Sequence, residues 1–599
     1  MDRPSRRRFV AHALLAGFAS ACADQPSARP PKASPPPPPA PVPVPPAPAA
    51  AEGVTAATVA EAEKLLRVRF TPAEREQAAR SWQANMGPSF ALRDRPSLDA
   101  SLAPATIWNA RSAARALPPM PRANRLVPSR RPAPGAPPAA ERELAHAPVY
   151  RLAQWLKQRK IKSRTLTELS LKRLEAFDPK LKCVITLTRD LALEQADRAD
   201  RELDQGRVRS PLHGVPYGLK DLLDTANVAT TWGAEPFRGR VPTVDAVVAQ
   251  RLREAGAVLV AKLSLGALAL NDVWFGGQTK NPWLLEEGSS GSSAGSGSAV
   301  AAGCVGFAIG SETLGSIVSP SSRCGVVGLR PTFGRVARTG AMTLCWSLDK
   351  LGPMARAVED TALVLAAING PDAGDPSSVP STFDFDPDAP VKGLRVGFVR
   401  AWADQASEPE RAALEAAKRA GMQVVEVTFP ELPYGALSTT LFAEAAASFD
   451  DLVRSHGLDR LGTPSDDAWP NFFRQARLLS AVDLVQAERL RRQVARALDD
   501  LMKSVDLLLV PPLRDEPLTA TNFTGHPSLT LRAGFVEIDR IRSDYAPPPG
   551  QALPALNPKR RVPQAVTLIG RLFDEATLCR AGIALERELN VASELPPGF

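Results

Sequence analysis

Three short stretches spread over about a hundred residues hold the side chains able to do chemistry. They are Gly214-Val-Pro-Tyr-Gly-Leu-Lys220-Asp221, Gly291-Ser292-Ser293-Ala-Gly-Ser296 and Gly310-Ser311-Glu312-Thr313-Leu314-Gly315-Ser316-Ile317. Together they offer a lysine and two serines set among small residues. A serine hydroxyl is a weak nucleophile until a base takes its proton. Glycine-rich backbone lets N–H groups converge where an oxyanion develops. A lysine can act as that base only when neutral, which requires burial or a nearby positive field. The pattern fits a Ser-Lys acyl-transfer site. A Gly/Ser run alone would be a linker, but this one leads into the small-residue run Ala299–Gly303. Lys220 alone would be a surface lysine, yet it follows an apolar run. His213 and His526 allow a Ser-His-Asp alternative, but the chain has five histidines and neither stands in a nucleophile-elbow sequence.

Elements able to position these residues are legible around them. Val215–Leu219 is short, apolar and bounded by glycines, which predicts a strand ending at Lys220. Asp245–Gly256 predicts an amphipathic helix and Ala257–Ala261 a buried strand. The GSS loop leads into the small residues Ala299–Gly303, which predict a helix packed closely on a sheet. Val305–Ile309 predicts the next strand, whose exit carries Ser316. From Tyr150 to Gly206 the apolar spacing is largely helical, as in Leu152, Leu156, Leu166, Leu169 and Leu174. Gly393–Val399 and Val505–Val510 are further strands, with helices at Glu408–Gly421 and Ala481–Ser504. Strands alternating with helices argue for an α/β fold.

Further motifs follow the same order: Asn281-Pro282-Trp283, the GSS stretch, Ser316 after a 24-residue step from Ser292, then Cys324–Val336, Ser347–Pro353, Asn522–Pro527 and Gly570–Phe573. Over roughly residues 147–592 the chain resembles the amidase signature family, which includes fatty acid amide hydrolases, peptide amidases and the A subunits of glutamyl-tRNA amidotransferases. The resemblance implies a large mixed β-sheet sandwiched by helices and a Ser-cisSer-Lys triad. It implies Ser316 as nucleophile, Ser292 as relay behind a cis peptide bond, and Lys220 as base. The N–H groups of Thr313, Leu314, Gly315 and Ser316 would form the oxyanion hole. Ser293, Trp232 and Phe275 are candidates for substrate contact, with core packing the plain alternative for the aromatic residues, Trp283 included. No cofactor is implied.

Three positions depart from the family's commonest pattern. Glu312 stands for Asp, Leu314 for Gly and Val318 for Arg. Leu314 is expected to narrow the acyl pocket. Glu312 needs a new partner, for which Arg323 and Arg335 are candidates. The region of roughly 370–510 is where the family varies most, often around substrate entry.

With 599 residues, 44% hydrophobic and 23% charged, the composition is that of a soluble globular protein. The net charge of +9 rests partly on Arg3, Arg6, Arg7 and Arg8 and on arginines scattered from Arg111 to Arg142, so nucleic-acid binding is not supported. Residues 1–22 read as an export signal: Ser5-Arg6-Arg7-Arg8-Phe9-Val10 is twin-arginine-like, and the apolar run Ala11–Ala21 is too short to span a bilayer. Ala19-Ser20-Ala21 allows ordinary cleavage, while Cys22 after it allows a lipoprotein with a membrane tether. Residues 23–50 form a Pro/Ala spacer, Pro35–Pro39 included. Residues 51–146 make a helical and Pro-rich extension, and 147–599 the amidase domain. In the extension, Val59, Ala62, Leu65 and Leu66 share one helical side, Thr71-Pro72-Ala73-Glu74 reads as a helix start, and Pro104–Pro138 wraps or links. The six cysteines have no metal-ligand spacing and no HExxH occurs, so no metal is expected; Cys304 and Cys324 read as buried free thiols.

The leading expectation is an exported amidohydrolase acting on a small-molecule carboxamide, periplasmic or membrane-anchored. Alternatives are an esterase using the same site, a cytoplasmic tRNA-dependent glutaminase component, and a non-catalytic periplasmic scaffold suggested by Leu314 and Val318.

Overall fold

The apolar runs beside the three motifs become neighbouring strands of one mixed sheet. The computed structural model describes residues 53–66, 68–92, 106, 124–131, 134–462, 465–547 and 550–599. The expected export signal, Cys22 and the Pro/Ala tract lie outside the described residues, as does most of 93–123.

In chain order the sheet contains β1 (Val184–Leu187), β2 (Pro216–Lys220), β3 (Val258–Leu263), β4 (Phe307–Glu312), β5 (Val327–Arg330) and β6 (Lys350–Ala355). It continues with β7 (Arg395–Phe398), β8 (Gln423–Glu426), β9 (Leu507–Val510), β10 (Ser528–Arg540) and β11 (Ala555–Gly570). Their spatial order is β8-β7-β9-β11-β10-β5-β6-β4-β2-β3-β1. β2 lies between β3 and β4 and runs parallel to both. All residues of β2, β3 and β4 are buried, as expected of parallel strands covered on both faces.

Side chains alternate across these strands. Tyr217, Leu219, Leu259, Phe307 and Ile309 enter one apolar cluster, while Val258, Val260 and Ala308 enter another. That period leaves Gly218 and Lys220 facing the second side, where helix Ala294–Ala301 packs. All eight residues of that helix are buried and none is larger than valine, so its backbone approaches the sheet closely.

The region from Tyr150 to Gly206, expected to be largely helical, is so in Val149–Lys157, Ser163–Leu181 and Arg189–Asp204, but it also holds β1. Val184-Ile-Thr-Leu187 is β-branched and short, and it pairs antiparallel with β3 at the sheet's edge. The helix Ala56–Leu66 also differs from expectation. Val59 and Glu63 are its buried residues, whereas Leu65 and Leu66 are 87% and 39% exposed. The i, i+4 row through Val59 and Glu63 meets the next helix, and Glu63 is held by Arg75 at 2.8 Å. Thr71 caps that next helix, Pro72–Met86, in a capping box with Glu74.

The N-terminal extension docks on the helix Trp469–Ala476. Asn471 Nδ2 donates to Ser81 Oγ at 2.7 Å, Gln475 Nε2 to Ala78 O at 2.7 Å, and Glu74 pairs with Arg474. Asn124–Leu126 pairs in parallel with Phe383–Phe385. Among the described residues no helix is long and apolar enough to cross a membrane, and the five described cysteines are free and buried.

Candidate active site

Lys220 ends β2 and is fully buried. Its Nζ lies 2.8 Å from Ser292 Oγ, 3.1 Å from Ser293 Oγ and 2.8 Å from Ser311 Oγ. Burial drives its pKa well below the usual lysine value, and the carboxylates of Asp349 and Glu312 pull it back in part. Lys262, on neighbouring β3, shows the contrast. It too is fully buried, but its Nζ sits 3.1 Å from the Asp221 carboxylate. Lys220 touches only hydroxyls, and no carboxylate among the described residues pairs with it.

Ser292 follows Gly291 across a cis peptide bond. Gly291 is needed there for space: a Cβ would come 1.7 Å from the carbonyl oxygen of Asn271. Ser316 sits in the loop between β4 and helix Val318–Cys324, where Gly315 takes φ +87°. Its hydroxyl has no hydrogen-bond partner among the described residues. Its carbonyl accepts the Ser293 N–H at 3.2 Å, which ties the two serine segments together. Thus Lys220 and Ser292 meet through side chains, and Ser316 joins them through backbone.

Glu312 folds the Ser316 loop. One carboxylate oxygen accepts the N–H groups of Ile317 (2.8 Å) and Val318 (3.0 Å), and the other accepts from Arg330 at 2.7 Å. Burial alone would raise the Glu312 carboxyl, but the Arg330 guanidinium brings it down to about 2. The N–H groups of Thr313, Leu314, Gly315 and Ser316 have no protein acceptor among the described residues. Thr313 Oγ1 donates to Asp349 at 2.6 Å, and Asp349 also accepts the N–H groups of Leu344 and Cys345.

The expected partners of Glu312 are replaced. Arg323 goes to Asp544 at 3.1 Å and Arg335 to Glu575 at 2.8 Å, while Arg330 takes the place beside Glu312. The signal was available: Arg330 closes an otherwise apolar buried strand and needs a counter-charge. Ser293 is also placed differently from the substrate contact expected of it. It is fully buried, and its hydroxyl donates to Ser311 O and accepts from Ser311 N–H, both at 3.1 Å. Ser311, which sequence reasoning passed over, is the third hydroxyl on the lysine. A serine at the end of the strand leading to Ser316 was its only sign.

A cavity of about 470 Å³ opens beside the site, with Ser311 and Thr313 on its inner wall and Leu222, Met342, Leu344 and Trp346 among its other lining residues. Leu314 does not line it. Its side chain packs half-buried on the apolar cluster that contains Leu348 and Phe523, because the loop turns it away from β4. Trp232 and Phe275 are also absent from the lining. Trp232 packs on Phe237 under Arg240, and Phe275 lies beside Trp274 under Arg238. Trp283 donates to Cys324 O at 2.9 Å. His213 pairs with Glu202 and His526 with Thr524, so neither histidine reaches a site serine.

A family model for amidases matches residues 165–579. The chain belongs to the amidase signature family. It is 37% identical over 465 residues to the A subunit of glutamyl-tRNA(Gln) amidotransferase from Anaeromyxobacter sp. (strain K), over 72% of this chain and 93% of that protein. Among solved structures it is similar to native peptide amidase from Stenotrophomonas maltophilia, with a TM-score of 0.63 and 31% identity over 76% of this chain and 98% of that one. It is similar in fold to a bacterial aryl acylamidase, at a TM-score of 0.63 and 22% identity over 75% of this chain and 99% of that one. The protein is therefore an amidase-family hydrolase, and its large mixed sheet with flanking helices is the amidase signature fold.

Proposed function

We propose that this amidase hydrolyses the carboxamide of a small neutral molecule through an acyl-enzyme on Ser316, with Ser292 relaying protons to and from Lys220. The observation that carries this reading is a fully buried lysine whose amine meets hydroxyls at 2.8 Å and no carboxylate. Burial without a carboxylate partner favours the neutral amine, the form that can accept a proton. Ser316 Oγ attacks the amide carbon as its proton passes to Ser292, whose own proton passes to Lys220. The oxyanion forms against the free N–H groups of Thr313–Ser316, where each donor typically contributes about 3–4 kcal/mol. The proton returns through Ser292 to the leaving nitrogen as the C–N bond breaks, and water then releases the acid by the same relay. The Ser292–Ser316 contact closes when substrate binds, as catalytic hydrogen bonds commonly do.

The cavity favours an uncharged group beside the scissile bond. Arg338 is engaged by Asp375 and Ser377 and by the Trp346 carbonyl, and Asp349 by Thr313 and two N–H groups. A second reading, hydrolysis of the glutamine side-chain amide, is favoured by the 37% identity to an amidotransferase component. Glutamine would bring two charges to a cavity whose charged groups are already paired. Esters fit the same acyl-enzyme chemistry.

The test is intact-mass analysis of the full chain treated with a fluorophosphonate, followed by an amide panel. A single adduct mapping to Ser316, and neutral carboxamides turned over at least about tenfold faster than glutamine, is the expected result. No adduct on the folded protein, or glutamine as the preferred amide, would overturn the reading. Export belongs to the same proposal, resting on the twin-arginine-like leader and the apolar run behind it. Cell fractionation checks it, and protein found solely in the cytoplasm counts against it.

A further inference from the structure

The long hairpin of β10 and β11 ends in a loop that returns to the Ser292 segment. We infer that Asp544, on this loop, is a positioning residue for Ser292, holding the relay serine against Lys220. This rests on the proposed relay through Ser292.

One carboxylate oxygen of Asp544 accepts the Ser290 hydroxyl at 2.6 Å and the Gly291 N–H at 3.0 Å, the two residues immediately before Ser292. The other accepts from Arg323 at 3.1 Å, and Arg323 lies on the helix Val318–Cys324 that begins just beyond Ser316. A single carboxylate thus joins the relay segment to the nucleophile segment. Ser290 Oγ also lies 2.5 Å from Ser319 Oγ, on that same helix.

The loop itself is held in place. Arg542 pairs with the fully buried carboxylate of Glu287 at 2.6 Å, and its N–H donates to the same group at 3.1 Å. Arg323 donates to the Arg542 carbonyl at 3.1 Å, and the Ala546 N–H donates to Asp467 at 3.2 Å. From the opposite side, Asp272 accepts the Ser290 N–H at 3.1 Å. Ser290 and Gly291 are therefore fixed by two carboxylates from separate parts of the chain. Freeing one side lets the Ser292 hydroxyl drift from its 2.8 Å contact with Lys220. Asp544 touches neither Ser292 nor Ser316 by side chain, so its effect passes through the backbone before Ser292.

Two full-chain variants test this, Asp544→Ala and Asp544→Glu, the second keeping the charge but moving it by one methylene. Asp544→Ala is expected to lower kcat by about 30–100-fold with KM within about threefold, in line with an ångström-scale misplacement. Fluorophosphonate labelling should slow by a similar factor. Asp544→Glu should lose about tenfold in kcat, again at unchanged KM, and it decides the matter if the alanine variant does not fold. A folded variant with wild-type kcat, or a loss confined to KM or to thermal stability, overturns the inference. Ser316→Ala is run alongside. If it still turns over, the relay mechanism fails; if it is inactive while Asp544→Ala matches wild type, only the role of Asp544 fails.

Discussion

Ser316→Ala and Lys220→Met are each expected to lower kcat/KM by about 10⁴–10⁶, with the double variant no slower than the worse single one. The reason is that nucleophile, relay and base act as one unit: without the neutral amine no group takes the proton that leaves Ser316. Lys220→Arg should be equally inactive at every pH, since a guanidinium does not deprotonate in proteins. The wild-type profile follows from the same amine. Protonated Lys220 is inactive, so kcat/KM rises with pH until the amine is neutral and then levels off. Burial places that rise well below the usual lysine range. A rise tracking an ordinary lysine, or Lys220→Met within tenfold of wild type, would remove Lys220 from the mechanism. The measurement is kcat/KM against pH for wild type and Lys220→Met on one amide.

Glu312→Gln is the second large effect, and it falls on stability as well as rate. Breaking a buried ion pair from one side typically costs about 3–5 kcal/mol, because the remaining charge is left without a partner. Here that charge is Arg330, 1% exposed, whose other partners among the described residues, Thr521 and the His526 carbonyl, are neutral. The urea midpoint should drop accordingly, and Glu312→Gln/Arg330→Met should recover part of the loss. Glu312→Gln also removes a negative charge that raises the Lys220 pKa, so the rise in kcat/KM should shift to lower pH. The pH dependence of stability has a definite sign. With its folded pKa at about 2, Glu312 contributes fully above the ordinary carboxylate value of ~4.3 and loses its contribution as pH falls toward 2. An unfolding free energy from the urea titration within about 1 kcal/mol of wild type for Glu312→Gln would mean that the pair does not hold the loop.

Much of the site was legible in the sequence because its chemistry is local. Lys220 closes a glycine-bounded apolar run, Ser292 follows a glycine that leaves it room, and Ser316 leaves a buried strand through a small-residue loop. Strand and helix periods reported the elements around them, down to the helix Ala481–Ser504 at its observed bounds. They missed β1, whose four residues are too few for a period to speak against its helical neighbours. They also misjudged Leu65 and Leu66, because which stripe of a short helix is buried depends on what packs against it.

By itself, then, the sequence determined the family, the reaction class and the residues proposed to carry it, since those depend on residue types at fixed local spacing. Only the tertiary structure decided their partners. Arg330, rather than Arg323 or Arg335, meets Glu312 because both close buried strands, β5 and β4, that flank β6. Ser293 and Ser311 reach Lys220, and Leu314 turns from the cavity, for reasons of strand register and loop direction. Asp544 meets Gly291 across 253 residues of chain. Such contacts are set by how sheets and loops pack together, and no local pattern of residues encodes them.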